Sequence, residues 1–373
     1  CGKSTLLRQL MRKVKGFYYF NFEDSRATDF ELKDFEKLDQ IFHEDYKDQD
    51  YYFFDEIQNI PQWEKFVRRL VDLKKHLVIT GSNASLLSKE FGTRLTGRYK
   101  SFEVFPFSFG EFLNFKNIII EKNDFYLTSK KVDLVKLFKE YLSFGGLPEY
   151  LKNKDSEYVR MVYENILYKD VITRYSIRRQ RVIKELINLL GANLSSQFTY
   201  NSLKKSLGLG NAITVKEYIS YLENSYLFFE LLRFSYSVRQ QLVSPRKIYL
   251  IDSAFGQICG INFSENMGKM LENLVFVELK RNNKEIFYYQ DKNECDFVIK
   301  DKTKITQAIQ VCYDLNEGNK TRELEGLFES MEKFGLNEGL ILTYEQTDEL
   351  TIKNKKIRIL PVYRWITELN IYK

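Results

Sequence analysis

Tyr51-Tyr52-Phe53-Phe54-Asp55-Glu56 decides how this chain is read. Four aromatic residues run directly into two acids. A strand buried on both faces of a parallel sheet reads as a continuous apolar run. In open α/β sheets the chemistry sits at the carboxyl ends of such strands. Asp55 and Glu56 stand at that end. The first acid can hold the shell of a Mg²⁺ ion, and the second can orient or deprotonate an attacking water.

Working outward, an apolar run over residues 17–22 predicts a second strand before the acidic one. A helix is expected over 63–75, then a third strand over 77–80. That strand leads into Gly81-Ser82-Asn83, polar residues suited to touch a γ-phosphate or the water. At the start of the chain, Cys1-Gly2-Lys3-Ser4-Thr5 has the ending of a GxxxxGK[ST] phosphate loop. The first glycine of that pattern is expected four positions before Cys1, so the chain reads as a fragment of a longer protein. Gly2 lets backbone N–H groups approach a phosphate. Lys3 reaches the β- and γ-phosphates, and Ser4 offers a hydroxyl to Mg²⁺. Leu6, Leu7, Leu10, Met11 and Val14 recur at helical spacing, so a helix N-terminus points at the anion. The candidate nucleotide-binding residues are Gly2, Lys3, Ser4 and Thr5, and the candidate metal residues are Ser4 and Asp55.

The rest of the composition is that of an ordinary globular protein. The 373 residues suggest two to four domains, with 44% apolar and 29% charged residues. No apolar run approaches the length of a membrane span. Cys1, Cys259, Cys295 and Cys312 form no CxxC pair, which fits reduced thiols and a cytoplasmic protein. With only His43 and His76, zinc clusters and Ser-His-Asp catalysis are poorly supplied.

Asp55-Glu56-Ile57-Gln58, Ile79-Thr80-Gly81-Ser82-Asn83, Leu95-Thr96-Gly97-Arg98 and Pro106-Phe107-Ser108-Phe109-Gly110-Glu111-Phe112 together carry a family resemblance. The chain resembles prokaryotic AAA-type ATPases with a C-terminal domain of unknown function. The resemblance covers essentially the whole chain. It implies an α/β P-loop core of AAA/RecA-like type, ATP as substrate and Mg²⁺ as cofactor. It also implies a polar sensor at Ser82 or Asn83. Arg94 or Arg98 would read the γ-phosphate across a subunit boundary, which makes a homo-oligomer an expectation. The candidate catalytic residues are then Lys3, Glu56, Ser82, Asn83, Arg94 and Arg98.

Past the core, expected over 1–112, residues 113–181 read as a helical lid or connector. Ser143-Phe144-Gly145-Gly146-Leu147-Pro148-Glu149 breaks it, and is expected to be a tight turn packing the lid on the core. Over 182–255 three helices and two strands are expected. Thr199 caps the second helix and Thr214 the third, the order of a winged helix-turn-helix. From Val171 to Leu250 there are twelve Lys or Arg against four Asp or Glu, a local +8 within a net +6. Such a surface suits duplex DNA. Lys204, Lys205, Thr214, Lys216 and Arg239 are the candidate contacts. Arg174, Arg178, Arg179, Arg181, Arg246 and Lys247 add to the basic character.

Over 262–373, a helix, three strands, a helix and two further strands follow the order of the PD-(D/E)xK nuclease fold, also called restriction-endonuclease-like. Asp296 matches its first acid and Glu272 its supporting helix acid. Gln310-Val311-Cys312 stands where an acid-x-Lys is required, so two charges are missing and a degenerate site is expected. Taken together, these readings predict an ATPase that couples nucleotide state to DNA binding. Two other classes stay open: a protein-interaction ATPase or switch without nucleic acid, and a metal-dependent nuclease.

Overall fold

The computed structural model of the chain describes residues 2–82, 98–261 and 266–371, with side chains through residue 369. The chain divides into two compact units: Cys1–Val104 with Asn224–Tyr226, and Phe105–Glu223 with Leu227–Lys373.

The first unit holds a three-stranded parallel sheet. Helix α1 (Lys3–Met11) precedes β1 (Tyr18–Asn21), α2 (Asp34–Asp45), β2 (Tyr51–Asp55), α3 (Glu64–Asp72) and β3 (His76–Ile79). The sheet order is β1-β2-β3, with Asn21 opposite Asp55 and Phe54 opposite Ile79. The acidic run is therefore the central strand, and its Tyr52, Phe53 and Phe54 are fully buried. Tyr18, Phe42 and Tyr52 pack face and edge on one side of it, and Phe35 stacks on Phe66 from α3. Helix α2 was not anticipated in the sequence, although its Phe35, Leu38 and Phe42 are buried at helical spacing.

The second unit begins with helices α4 (Phe109–Phe115), α5 (Thr128–Phe144), α6 (Pro148–Asn153) and α7 (Ser156–Asn165), the last continuing as a π-helical stretch, Ile166–Thr173. Ser108 and Glu111 close a reciprocal capping box at the start of α4. Next come α8 (Gln180–Ala192), β4 (Gln197–Phe198), α9 (Tyr200–Ser206), α10 (Ala212–Asn224), β5 (Phe228–Leu232), α11 (Val238–Val243) and β6 (Arg246–Leu250). Thr199 caps α9 as expected, its hydroxyl accepting from Ser202 N at 3.0 Å. The start of α10 differs from expectation. Asn211 Oδ1 takes the Ile213 N–H at 2.9 Å, so the helix begins at Ala212 and Thr214 lies within its first turn. The two expected strands are also joined by a third: the order is β4-β6-β5, with β6 central and all five of its residues buried.

Helix α12 (Met267–Arg281) is buried along most of its length. It precedes β7 (Glu285–Gln290), β8 (Glu294–Asp301), β9 (Lys304–Val311), α13 (Lys320–Phe334), β10 (Glu338–Thr343), β11 (Asp348–Ile352), β12 (Lys355–Pro361) and α14 (Val362–Ile371). These strands form one mixed sheet in the order β11-β12-β10-β9-β8-β7. β11 and α14 were not anticipated; β11 is a short, largely exposed strand with little apolar alternation. The small sheet and the large one are tied together. Asn273 of α12 bridges the Leu250 N–H and C=O of β6 at 2.7 and 2.9 Å, and Tyr249 stacks on Phe276. Apart from Asn224–Tyr226, the stretches 113–181, 182–255 and 262–373 all fall in this one unit.

The Gly145-Gly146 turn has two partners in the second unit: Phe107, within the stretch 1–112 expected as the core, and Asp252. Gly145 has φ 73° and ψ −162°, a region open only to glycine. The Gly146 N–H donates to Asp252 at 2.7 Å, and its carbonyl accepts from Phe107 N at 2.7 Å.

Candidate functional site

Helix α1 begins without a side-chain cap. Gly2 precedes it in the left-handed conformation, φ 78°, and no acid stands in the first turn. The first N–H groups of the helix are therefore unsatisfied and open to an anion. Lys3 Nζ lies 3.4 Å from Glu56 Oε1, so the two residues that sequence assigned to opposite ends of the reaction are neighbours. Ser4 is half-buried and Thr5 is exposed in the same turn.

At the end of β2, Asp55 is 4% exposed. The Thr80 hydroxyl donates to Asp55 Oδ1 and accepts the Glu56 N–H at 3.2 Å. Glu56 itself has φ 53°, an uncommon conformation for a residue with a Cβ. That turn swings its carboxylate away from the strand direction. Gln58 Nε2 then holds Glu56 Oε2 at 2.5 Å and reaches Ser82 Oγ at 3.4 Å. Lys3, Asp55, Glu56 and Ser82 are thus brought together, with Thr80 and Gln58 as additional members. Both additions were within the quoted motifs, but nothing in their side-chain chemistry marked them out.

The donor set fits Mg²⁺. One buried carboxylate and a serine hydroxyl are hard oxygen ligands, and Mg²⁺ habitually leans on one or two carboxylates plus substrate phosphates. Among the described residues no group of three or more His, Cys, Asp or Glu side chains is arranged to hold a metal alone. Arg98 is turned elsewhere: its Nη1 pairs with Asp72 at 2.6 Å. Asn83 and Arg94 lie outside the described residues.

The basic stretch is less of a surface than its charge suggests. Lys205, Lys216 and Arg239 are exposed, as are Arg178 and Arg179, while Lys204 and Thr214 are half-buried. Arg174 pairs with Asp170 at 3.1 Å and Arg181 with Glu185 at 2.7 Å. Arg246 and Lys247, counted with the basic face from sequence, are 6% and 1% exposed. The reason is their place on the central strand β6. Arg246 faces Glu230, whose carboxyl is pushed up to about 7 by burial and the nearby Glu223.

Lys247 enters the cluster read from sequence as the remnant of a nuclease site. Glu272 comes from α12, and Glu294 and Asp296 come from β8. All three carboxylates contact the Lys247 ammonium, at 2.9, 2.6 and 2.9 Å respectively. Gln310 Oε1 accepts the Asp296 N–H at 3.2 Å, while its Nε2 donates to Glu323 at 2.6 Å. Burial and the Asp296 charge push Glu272 up to about 8. Burial alone would lower the Lys247 pKa, but the Asp296, Glu272, Tyr249 and Glu294 charges hold it well above lysine's usual value. Glu294, Glu323 and Lys247 were missed because the three come from separate segments with no local spacing in common.

Comparison with known proteins gives the class first. A profile of the AAA domain matches residues 1–113. Two domains of unknown function, DUF8612 and DUF4143, match residues 135–262 and 267–365. The chain is 38% identical to Uncharacterized protein MJ1544 of Methanocaldococcus jannaschii, over 98% of its own length and 85% of that protein. It is 28% identical to an uncharacterized protein of Haemophilus influenzae, over 93% and 88% of the two chains. The chain therefore belongs to this family of AAA-type ATPases with C-terminal domains of unknown function. No solved structure matches it. Among the described residues no helix is long and apolar enough to cross a membrane.

Proposed function

We propose that the first unit binds ATP and hydrolyses it to ADP and phosphate. The observation that carries this reading is the approach of Lys3 to Glu56 beside the buried Asp55, at the uncapped start of α1. The α1 N-terminus and Lys3 receive the phosphates, lowering the cost of charge that builds on the γ-phosphoryl group. Mg²⁺, held by Ser4 and Asp55, would supply neutralisation of the phosphate charge. Glu56 orients the attacking water and accepts its proton. Before nucleotide arrives, Lys3 and Gln58 hold that carboxylate. Phosphate binding draws Lys3 away and frees it. The test is phosphate release from ATP by a chain with a whole GxxxxGK[ST] loop. Lys3→Ala should lower nucleotide affinity at least ~10-fold; equal binding and release by wild type and variant would remove Lys3 from the site.

A second function is supported by the exposed Lys205, Lys216 and Arg239 around α9, α10 and α11. Three helices with a three-stranded sheet in the order β4-β6-β5 suit a winged helix. We infer that this region contacts duplex DNA through phosphates, with α10 as the reading helix. Nucleotide state in the first unit would bias that contact. Binding that is flat across salt concentration would contradict phosphate contacts.

A further inference from the structure

In the PD-(D/E)xK arrangement, the point where the helix acid and the strand acids converge is the metal position. Here that point is filled by the chain's own amine. Lys247 Nζ has three N–H donors, and three different carboxylates lie within 2.9 Å of it: Glu272, Glu294 and Asp296. No donor remains to polarise a water or a phosphate. Other oxygens are also engaged. Asp296 Oδ2 accepts the Val311 N–H at 2.9 Å and Glu294 Oε2 accepts from Gln197, while Tyr249 donates at 2.7 Å to Glu272 Oε1, the same oxygen that meets Lys247. The position that would complete a metal site on β9 carries the neutral Gln310, which is already held between the Asp296 N–H and Glu323. The residues present therefore do not fit a divalent ion alongside the lysine.

We infer that Lys247 is the resident cation of this carboxylate cluster: its ammonium excludes a divalent metal, and removing the amine turns the cluster into a metal site. The physical reason is charge. Two buried acids and the half-buried Glu294 around one lysine leave excess negative charge, and taking away one partner of a buried ion pair leaves carboxylates with no counter-ion. Lys247 comes from β6, whereas the acids come from α12 and β8. The ammonium thus also fastens the three-helix region to the large sheet. A lysine fixed in this way has no donor left over for strand cleavage.

The test is Mn²⁺ titration of the nucleotide-free full chain, followed by electron paramagnetic resonance, for wild type, Asp296→Asn, Lys247→Ala, Lys247→Met and Lys247→Ala/Asp296→Asn. Wild type should have no Mn²⁺ site that depends on Asp296. Lys247→Ala should gain one, at least ~10-fold tighter than any wild-type site, and the double variant should lose it. Mn²⁺ should also raise the unfolding temperature of Lys247→Ala and leave that of wild type unmoved. The Met variant keeps the apolar stem, and folding of each variant is checked by circular dichroism. A wild-type Mn²⁺ site abolished by Asp296→Asn would overturn the inference, whatever the variants do. So would a folded Lys247→Ala or Lys247→Met that binds no Mn²⁺.

Discussion

Thr80 ties the two acids of β2 to the neighbouring strand: it donates to Asp55 and accepts from the Glu56 backbone. Replacing it with Ala leaves Asp55 buried with one donor fewer, and frees the strained turn at Glu56. Thr80→Ala should therefore weaken Mg²⁺-dependent turnover by about 10-fold, while nucleotide binding without metal changes little. Gln58 is a positioning residue for Glu56. Gln58→Ala should lower kcat by roughly 3- to 10-fold with KM nearly constant, and Gln58→Glu should do worse, because a second carboxylate would face the first. A fall confined to KM would put Gln58 in substrate binding instead. At this scale the sequence was informative wherever chemistry and position coincide. Lys3, Asp55 and Glu56 stood out by position, in a GK[ST] run at a helix start and in two acids that close an apolar strand. Gln58 and Thr80 were not, because an amide and a hydroxyl are common in loops. Lys247 was misread for a physical reason: a lysine on a short strand looks solvent-facing until the partners that bury it are known.

Among the elements, the turn between α5 and α6 is closely packed against backbone. A Cβ on Gly146 would meet the Phe107 carbonyl oxygen at 2.2 Å and the Phe107 nitrogen at 2.7 Å, both backbone atoms that cannot step aside. Gly146→Ala should destabilise the second unit by about 1–3 kcal/mol, read from its denaturant midpoint. The same turn makes stability depend on pH. Burial pushes the Asp252 carboxyl up to about 6, against the Ala254 and Gly146 N–H groups and Arg281, which oppose the shift. The folded state thus favours protonated Asp252. Its contribution is fully present below about pH 4 and is lost as pH rises through about 6, on the order of 2–3 kcal/mol. The stability difference between wild type and Asp252→Asn should change across that window; a difference that stays flat would remove Asp252 from the account. Element types were mostly legible from apolar spacing. The elements that escaped are α2, β4, α11, β11 and α14; of these β4, α11 and β11 are six residues or shorter. Gly145-Gly146 announced a turn, but not its partners, since Asp252 is more than a hundred residues away in sequence.

On the scale of the whole molecule, the net +6 resolves into unlike parts. Some of the basic residues of the middle stretch are consumed internally by Asp170 and Glu230, and one sits among Glu272, Glu294 and Asp296. What faces solvent is a smaller set that includes Lys205, Lys216 and Arg239. If these contact phosphates, replacing all three by Ala should reduce the slope of log affinity for duplex DNA against log salt by about 2–3. An unchanged slope would assign the region to a protein partner. The central claim concerns the other unit, and one measurement meets it most directly. In a chain with a whole phosphate loop, ATP binding and phosphate release are compared for wild type and Glu56→Gln. The account predicts retained binding, with Mg²⁺-dependent release lowered by about 10²-fold or more. Phosphate release by Glu56→Gln at the wild-type rate would contradict it.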